Sequence, residues 1–220
     1  MKKIYINPGH SNLDPGAVGY ETERRLTVKV SDYMNAHLNA SFVCETKMNP
    51  GTVSSLSAIA AEANTWGAAL FVSNHFNAGG GDGWEGLIYS GRNEPLGRAF
   101  ERYVVAAGQN TRGVKLRPEL AVLRLTNMPA ILNEGAFVDN RTDIQDWNED
   151  TELKKLGIAY AEAAAEFLGL ERKAVAPEPE KSDVIYRVQV GAYAKRSGAE
   201  TMLQQLRAAG FEGIIAEGKR

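Results

Sequence analysis

The 220-residue sequence contains one cysteine, three histidines and no long apolar run. Cys44 alone cannot form an internal disulfide, so the sequence neither requires nor excludes an oxidising compartment. Its place in a short apolar stretch predicts a buried side chain. No stretch approaches the roughly 18 apolar residues of a membrane span. The formal charge of −2 gives no electrostatic reason to expect binding to nucleic acid or to an anionic membrane.

The N-terminus lacks the pattern of a signal peptide, because a Pro-Gly pair at residues 8 and 9 interrupts the first apolar run. We therefore expect the protein to be made and folded in the cytoplasm and to act on any external substrate only after release. The 44% hydrophobic and 24% charged residues are typical of a globular protein. The length fits one medium domain and one small domain.

Three short apolar runs each end near a side chain that can bind a metal ion or transfer a proton. His10 follows the first run and its Pro-Gly turn, His75 ends the second, and Glu134 ends the third. The carboxyl ends of parallel strands lie at one edge of a sheet, so these three residues can converge there. A single histidine at the end of a strand is more often structural. Three apolar runs that all end in a histidine or a glutamate favour a functional site.

An amphipathic stretch that follows His10 predicts a helix starting near Thr22, with Glu23 in its first turn, where the helix dipole favours a carboxylate. Glu21 is the competing carboxylate. Two histidines and one carboxylate are a common ligand set for a catalytic zinc with an open fourth position. Glu134 would then remain for proton transfer.

These residues lie in motifs that resemble the zinc-dependent N-acetylmuramoyl-L-alanine amidases of the amidase-3 family, over roughly residues 1–170. The matching segments are residues 7–10, 14–19, 73–78 and 133–137. The resemblance implies an α/β fold and one Zn²⁺ per chain, with Glu134 as the catalytic glutamate. The ligands that it implies are His10, Glu23 and His75.

Within the resemblance, Glu23 is preferred to Glu21 because the family's glutamate precedes a Leu-Thr or Leu-Asn pair, here residues 26–27. Two positions depart from the family pattern. Asn7 stands where the family usually has aspartate, and Ser11 where it has glycine. These departures leave the hydrogen-bond partner of His10 open, but not His10 as a ligand.

The periodicity predicts a single twisted, mostly parallel sheet flanked by helices. Strands are expected at residues 4–7, 41–46, 68–73, 85–90, 122–125 and 129–134, and helices at 22–38, 54–66, 94–107 and 153–168. Residues 108–120 are interpreted as a polar loop. Its cations, Arg112, Lys115 and Arg117, are interpreted as solvated, with contacts to substrate carboxylates as the alternative. His37 is expected to be a half-exposed helix residue.

The C-terminal part has a different composition. Residues 171–183 are rich in proline and glutamate and indicate an extended linker. Residues 184–220 show a small βαβ pattern with strands near 186–190 and 211–216 around a helix at 199–209. Residues 188–193 resemble the opening of a SPOR repeat, which binds peptidoglycan glycan strands. About half of a usual repeat is present, so it would be truncated, pair with a second copy, or dock on the main domain.

The resemblance implies hydrolysis of the amide between N-acetylmuramic acid and L-alanine in peptidoglycan by a zinc-activated water. We expect either a phage endolysin, released through a holin-like pathway, or an autolysin that acts when a mother cell lyses. The alternatives are a zinc peptidase or other amidohydrolase on the same ligand set, and a cell-wall-binding protein without catalysis.

Overall fold

The computed structural model describes residues 1–52, 55–174 and 188–217. The chain divides into two units, Met1–Ala174 and Val175–Arg220. Ser54, residues 175–183 of the predicted linker, and residues 186–187 of the predicted strand lie outside the described residues. Among the described residues no helix is both long enough and apolar enough to cross a membrane.

The first unit is built on one six-stranded sheet. Its strands are β1 Lys2–Pro8, β2 Cys44–Met48, β3 Leu70–Asn77, β4 Trp84–Ile88, β5 Thr111–Leu116 and β6 Ala130–Phe137. The strand order is β2-β1-β3-β6-β4-β5. All neighbouring pairs are parallel except β4 and β6, which are antiparallel. The predicted single, mostly parallel sheet is therefore confirmed.

Helices cover both faces of this sheet. They are α1 Glu23–Ser41, α2 Leu56–Trp66, α3 Glu94–Ala106, α4 Ala121–Arg124, α5 Arg141–Asp146 and α6 Asp150–Leu168, with a 3₁₀ turn at Gly91–Asn93. The apolar residues of α1, α3 and α6 form one core with alternate strand residues such as Ile6 and Val72. Those of α2 and α4 form a smaller core with Tyr5, Phe71 and Leu132.

The face of the sheet that packs against α2 and α4 also contains residues of the candidate site, because side chains alternate along each strand. Phe71 and Leu132 lie in the smaller core, and residues two or four positions further along a strand point to the same face. That rule brings His75 of β3 and Glu134 of β6 onto this face, where they are register neighbours. The antiparallel strand β4 places Glu85 directly opposite Glu134.

Several helix predictions are confirmed, with α1, α2, α3 and α6 close to the expected bounds. Ser55 caps α2, and Gly67 ends it in the left-handed conformation. Cys44 is buried, as expected. His37 is half-buried on α1 and lies 2.8 Å from a Glu162 carboxylate oxygen of α6.

Two expectations about the first unit were wrong. Residues 122–125 were expected to form a strand but lie in and just after the short helix α4, since an apolar run of four residues does not distinguish helix from strand. Residues 108–120 were expected to be a loop but contain β5, whose alternation is hidden by charged and glycine residues.

Residues 171–173 pair with residues 41–43 of the first unit. The Val43 N–H donates to the Glu171 carbonyl at 2.8 Å, and the Lys173 N–H donates to Ser41 at 2.8 Å. Phe42 and Arg172 form an isolated bridge between these donors. The first unit therefore extends to Ala174, beyond the predicted boundary at residue 170.

The second unit contains the helix α7, Arg196–Ala208, which confirms the predicted helix with an earlier start. The expected flanking strands are not found in its described residues: 188–195 and 211–217 carry no strand. Their apolar side chains are open to solvent, with Val188 at 91% and Ile214 at 90% exposure. A strand needs a hydrogen-bonded neighbour, and neither segment has one among the described residues.

Candidate active site

His10 occupies a constrained position just after β1. Its φ of 65° makes it the one non-glycine residue with positive φ in the described parts of the chain. The preceding Gly9 leaves room for the His75 ring, because a Cβ there would lie 2.4 Å from Cε1 of that ring. Thr27 Oγ1 and Arg24 Nη1 donate to the Gly9 carbonyl at 3.0 and 3.1 Å. These bonds from α1 hold the unfavourable backbone in place.

Glu23, in the first turn of α1, connects the two histidines. Its Oε2 lies 2.9 Å from His10 Nε2, and its Oε1 lies 2.9 Å from His75 Nδ1. The backbone N–H groups of Ala17 and Phe76 donate to the same two oxygens at 2.9 and 3.2 Å. One donor atom from each of His10, Glu23 and His75 lies within 4.8 Å of the others.

Glu21, the competing carboxylate, lies elsewhere. Its Oε2 accepts a hydrogen bond from Arg25 Nε at 2.8 Å, one helical turn away on α1. The cluster in the described residues that could hold a metal ion contains Glu23 and not Glu21.

The second ring nitrogen of His10 has a partner that the sequence did not reveal. His10 Nδ1 lies 2.9 Å from Asp14 Oδ2. A carboxylate on the outer nitrogen of a histidine fixes its tautomer and makes the inner nitrogen a better ligand. Asp14 lies in the turn four residues after His10, and this short spacing is the feature of the sequence from which the contact could have been predicted.

Asn7, the other candidate partner of His10, serves a different purpose. Its Nδ2 donates to Ser73 Oγ at 2.9 Å, and its Oδ1 accepts from Asn49 Nδ2 at 2.9 Å. The side chain is buried between β1, β3 and the segment after β2. The hydrogen bonds of the Asn7 side chain go to Ser73 and Asn49 and not to His10, so Asn7 is not the partner of His10.

The cluster is strongly polarised. Burial acts to raise the pKa of Glu23, but hydrogen bonds from His10 and His75 outweigh it and lower the pKa to about 2. The hydrogen bond to Glu23 raises the pKa of His10 to about 9. Two imidazole nitrogens and an ionised carboxylate together form a donor set that fits Zn²⁺. The protons that now lie between the carboxylate and the imidazoles would be released when the metal binds in their place.

Glu134 lies beside this cluster and differs from it. Its Oε2 is buried and has no hydrogen-bond partner among the described residues. Burial is the main cause that raises its pKa to about 8, and the charges of Glu23 and Glu85 add to it. It is not one of the three clustered donors. A buried carboxyl with an unpartnered oxygen and a pKa raised towards neutrality has the chemistry of a proton acceptor or donor.

A buried amide network fixes the two strands at this point. Asn74, which precedes His75, donates to Ser31 Oγ of α1 at 2.9 Å. Asn133, which precedes Glu134, donates to Asn74 Oδ1 at 3.0 Å. The residues next to His75 and Glu134 are therefore tied to each other and to the helix that carries Glu23.

The three basic residues expected in a solvated loop lie on and after β5. Glu85 Oε1 accepts hydrogen bonds from Arg112 Nε and, at 2.6 Å, from Lys115 Nζ. Arg117 Nη1 lies 3.4 Å from Glu119 Oε1. Its positive charge acts to lower the pKa of Glu134, but burial has the larger effect and the pKa is raised overall.

Comparison with known proteins identifies the family of this chain. The model of the N-acetylmuramoyl-L-alanine amidase family Amidase_3 matches residues 4–166. The chain belongs to this family. A SPOR domain model matches residues 157–217. Residues 157–166 fall in both matches, and the structure places them in α6 of the first unit.

Three curated relatives match most of the chain. N-acetylmuramoyl-L-alanine amidase CwlM of Bacillus licheniformis is 32% identical over 225 residues, covering 98% of this chain and 85% of that protein. The sporulation-specific amidase of Bacillus subtilis is 29% identical, covering 98% and 84%. The endolysin of Bacillus phage SPP1 is 30% identical, covering 83% and 72%.

A solved structure shares the fold of this amidase. The catalytic domain of CwlV, from Bacillus (Paenibacillus) polymyxa var. colistinus, aligns with a TM-score of 0.73 at 23% identity. The alignment covers 78% of this chain and all of that domain. At this level of identity the likeness supports the architecture of the first unit and not the identity of its ligands.

Proposed function

We propose that this amidase hydrolyses the amide between N-acetylmuramic acid and L-alanine with one Zn²⁺ held by His10, Glu23 and His75. The observation that carries the proposal is the meeting of three donor atoms within 4.8 Å beside Glu134, a buried carboxyl with an unpartnered oxygen. Bound there, Zn²⁺ would supply a water of lowered pKa and polarise the scissile carbonyl.

The protein groups have separate tasks in this proposal. Glu134 Oε2 accepts the proton of the attacking water and passes it to the nitrogen of L-alanine as the C–N bond breaks. The products are a free lactyl carboxylate and a free peptide amine. Added positive charge at the three donors favours the ionised form of Glu134, which lowers its pKa from about 8 and makes it a base near neutral pH.

The test is digestion of purified peptidoglycan with zinc-loaded protein, followed by mass spectrometry of the soluble products. We expect intact glycan strands without stem peptides, and peptides that begin with L-alanine. Cleavage within the stem peptide would instead support the zinc peptidase. Wall binding without soluble products, unchanged by a chelator, would support the non-catalytic alternative.

For the biological setting we propose a lytic role, with the phage endolysin favoured over mother-cell lysis. The relatives that match the chain include the SPP1 endolysin and a sporulation-specific amidase. In both settings a protein made in the cytoplasm acts on the wall after release. Expression in Bacillus with and without a co-expressed holin-like pore tests this, and lysis that requires the pore is the expected result.

For the second unit we propose a contribution to wall adsorption, supported by the SPOR match over residues 157–217. Removing residues 175–220 should weaken adsorption to intact walls and leave turnover of small muropeptides nearly unchanged. Equal adsorption by the full chain and the shortened chain would contradict this role.

A further inference from the structure

An excess of positive charge surrounds one buried carboxylate next to the catalytic glutamate. Glu85 is 5% exposed, and both of its cationic partners bond to the same oxygen, Oε1. The partners themselves remain open to solvent, with side-chain exposures of 42% for Arg112 and 36% for Lys115. One carboxylate needs one cation, so the cluster of Glu85, Arg112 and Lys115 carries one positive charge in excess.

The backbone of β5 is shaped to produce this cluster. Thr111 pairs with Trp84 and Val114 pairs with Gly86, so three steps along β5 match two along β4. This is a bulge, and Gly113 takes a φ of 84° within it. In a regular strand, residues 112 and 115 would point to opposite faces. The bulge brings both cations to the face that holds Glu85.

The cluster lies in line with the reacting groups. His75, Glu134 and Glu85 are successive register neighbours across β3, β6 and β4. Adjacent strands are about 4.8 Å apart, so β5, two strands from β6, lies roughly 10 Å beyond Glu134 along this row. The Arg112 and Lys115 side chains bond to Glu85 on β4, which is one strand spacing, about 5 Å, from Glu134. The Arg112 guanidinium also lies 5.2 Å from the centroid of the Phe137 ring on β6, which fixes it on the side towards the site.

Both cations have donors to spare. Within the described residues, the only hydrogen bond of the Arg112 side chain is made by Nε, and its two terminal nitrogens have no partner. Lys115 Nζ makes one bond there out of three that it can donate. A guanidinium and an ammonium with free N–H groups at the edge of a site suit a carboxylate.

We propose that Arg112 and Lys115 bind a free carboxylate of the substrate, carried by the residue that follows L-alanine in the stem peptide. This inference rests on the proposed amidase function. An extended residue spans about 3.3–3.6 Å, so a carboxylate one residue beyond L-alanine lies about 7 Å from the cleaved amide nitrogen. That reach falls between Glu85 on β4, one strand spacing from Glu134, and β5, two spacings away. Glu85 holds the two cations in position there.

The test compares two muramyl tetrapeptides that differ only at the α-carboxyl of the residue after L-alanine, which is free in one and amidated in the other. We measure kcat/KM for the wild-type protein and for Arg112→Gln and Lys115→Gln. The wild type should prefer the free acid by about tenfold or more, the range of a charge-assisted hydrogen bond. Each variant should lose most of that preference, because its rate falls much more on the free acid than on the amidated peptide.

Two further variants provide controls. Arg98→Gln removes an exposed cation of α3 that bonds to Glu94 and Glu101. It should keep the full preference for the free acid. Lys115→Arg retains the charge and should restore the preference that Lys115→Gln loses. Melting temperatures of all variants report whether Glu85 has lost a structural partner.

The outcomes separate this inference from the function on which it rests. Equal wild-type rates on the two peptides would overturn carboxylate binding while the amidase function stands. Equal losses on both peptides, with lowered melting temperatures, would make Arg112 and Lys115 structural partners of Glu85 and also overturn it. Failure of the wild type on both peptides and on whole peptidoglycan would reject the amidase function, and the inference with it.

Discussion

The carboxyl groups of Glu23 and Glu134 are neighbours in the candidate site but have opposite surroundings. Both oxygens of Glu23 contact an imidazole nitrogen and a backbone N–H. Oε2 of Glu134 is buried without a partner in the described parts of the chain. The pKa of Glu23 is lowered to about 2, and that of Glu134 is raised to about 8. Environment, and not residue type, therefore separates the two proposed roles.

The comparison also explains why the two groups are neighbours. A group that holds a divalent cation must stay ionised, and the donors around Glu23 achieve this. A group that moves a proton works best with a pKa near the working pH and a free oxygen. In the proposed mechanism, the burial of Glu134 close enough to Glu23 to feel its charge would let a bound cation adjust the pKa of Glu134.

The largest expected effect comes from removing a donor of the Glu23 cluster. His10→Ala and His75→Ala should each lose zinc and reduce amidase activity to background, because the two remaining protein donors bind the ion too weakly to retain it. His37→Ala is the matched control: this third histidine contacts Glu162 on α6 instead. Metal analysis after gel filtration checks this, and one zinc per chain in both cluster variants would reject the ligand set.

The next effect tests the other carboxyl. Glu134→Gln keeps shape and volume but cannot accept a proton, so turnover should fall by about 10²–10⁴-fold while zinc and muropeptide still bind. Full activity of this variant would remove Glu134 from the mechanism. Loss of zinc would instead move it among the ligands, and the contrast between the two carboxyl groups would fail.

The placement of the site was predictable because it follows from strand periodicity. Apolar runs that end in His10, His75 and Glu134 bring these residues to one edge once the strands are parallel. The position of Glu23 follows from the start of α1. Its choice over Glu21 came from the family resemblance, since both carboxylates lie near that helix start.

The surroundings of Glu134 were not predictable in the same way. Glu85 faces Glu134 because β4 runs antiparallel, and the expected sheet did not specify that direction. Arg112 and Lys115 reach Glu85 through a bulge in a strand whose polar sequence resembled a loop. Asp14 reaches His10 through a turn with a positive φ at the histidine. Each of these contacts depends on a local backbone irregularity or on strand direction.

A smaller effect is expected at the outer partner of the cluster. Asp14→Asn should weaken zinc affinity or activity by about 10–100-fold, because the hydrogen bond to His10 Nδ1 loses its charge while the three donors remain. Glu21→Gln removes a nearby carboxylate that bonds to Arg25 and should change neither quantity measurably. Zinc titration of both variants against a competing chelator gives the comparison, and loss of zinc by Glu21→Gln would reverse the choice of ligand.

The mildest test asks whether the two carboxyl groups affect stability in opposite directions with pH. For Glu134, the folded pKa of about 8 lies above the unfolded value of about 4.3, so the folded state retains a proton that the unfolded state has lost. Its contribution is fully present below about pH 4.3 and is lost as pH rises to about 8, by about 1.4 kcal/mol for each pKa unit of separation.

The measurement is the free energy of unfolding of wild type and Glu134→Gln in chelator, from pH 5 to pH 9. The difference between the two proteins cancels the other titrating groups, His10 included. The variant should gain relative to the wild type as pH rises to about 8 and then stay level. Glu23, with its lowered pKa, contributes the reverse: stability present above about pH 4.3 and lost as pH falls towards 2. A difference for Glu134→Gln that does not change with pH would mean that its carboxyl is solvated, and the contrast with Glu23 would then have no electrostatic basis.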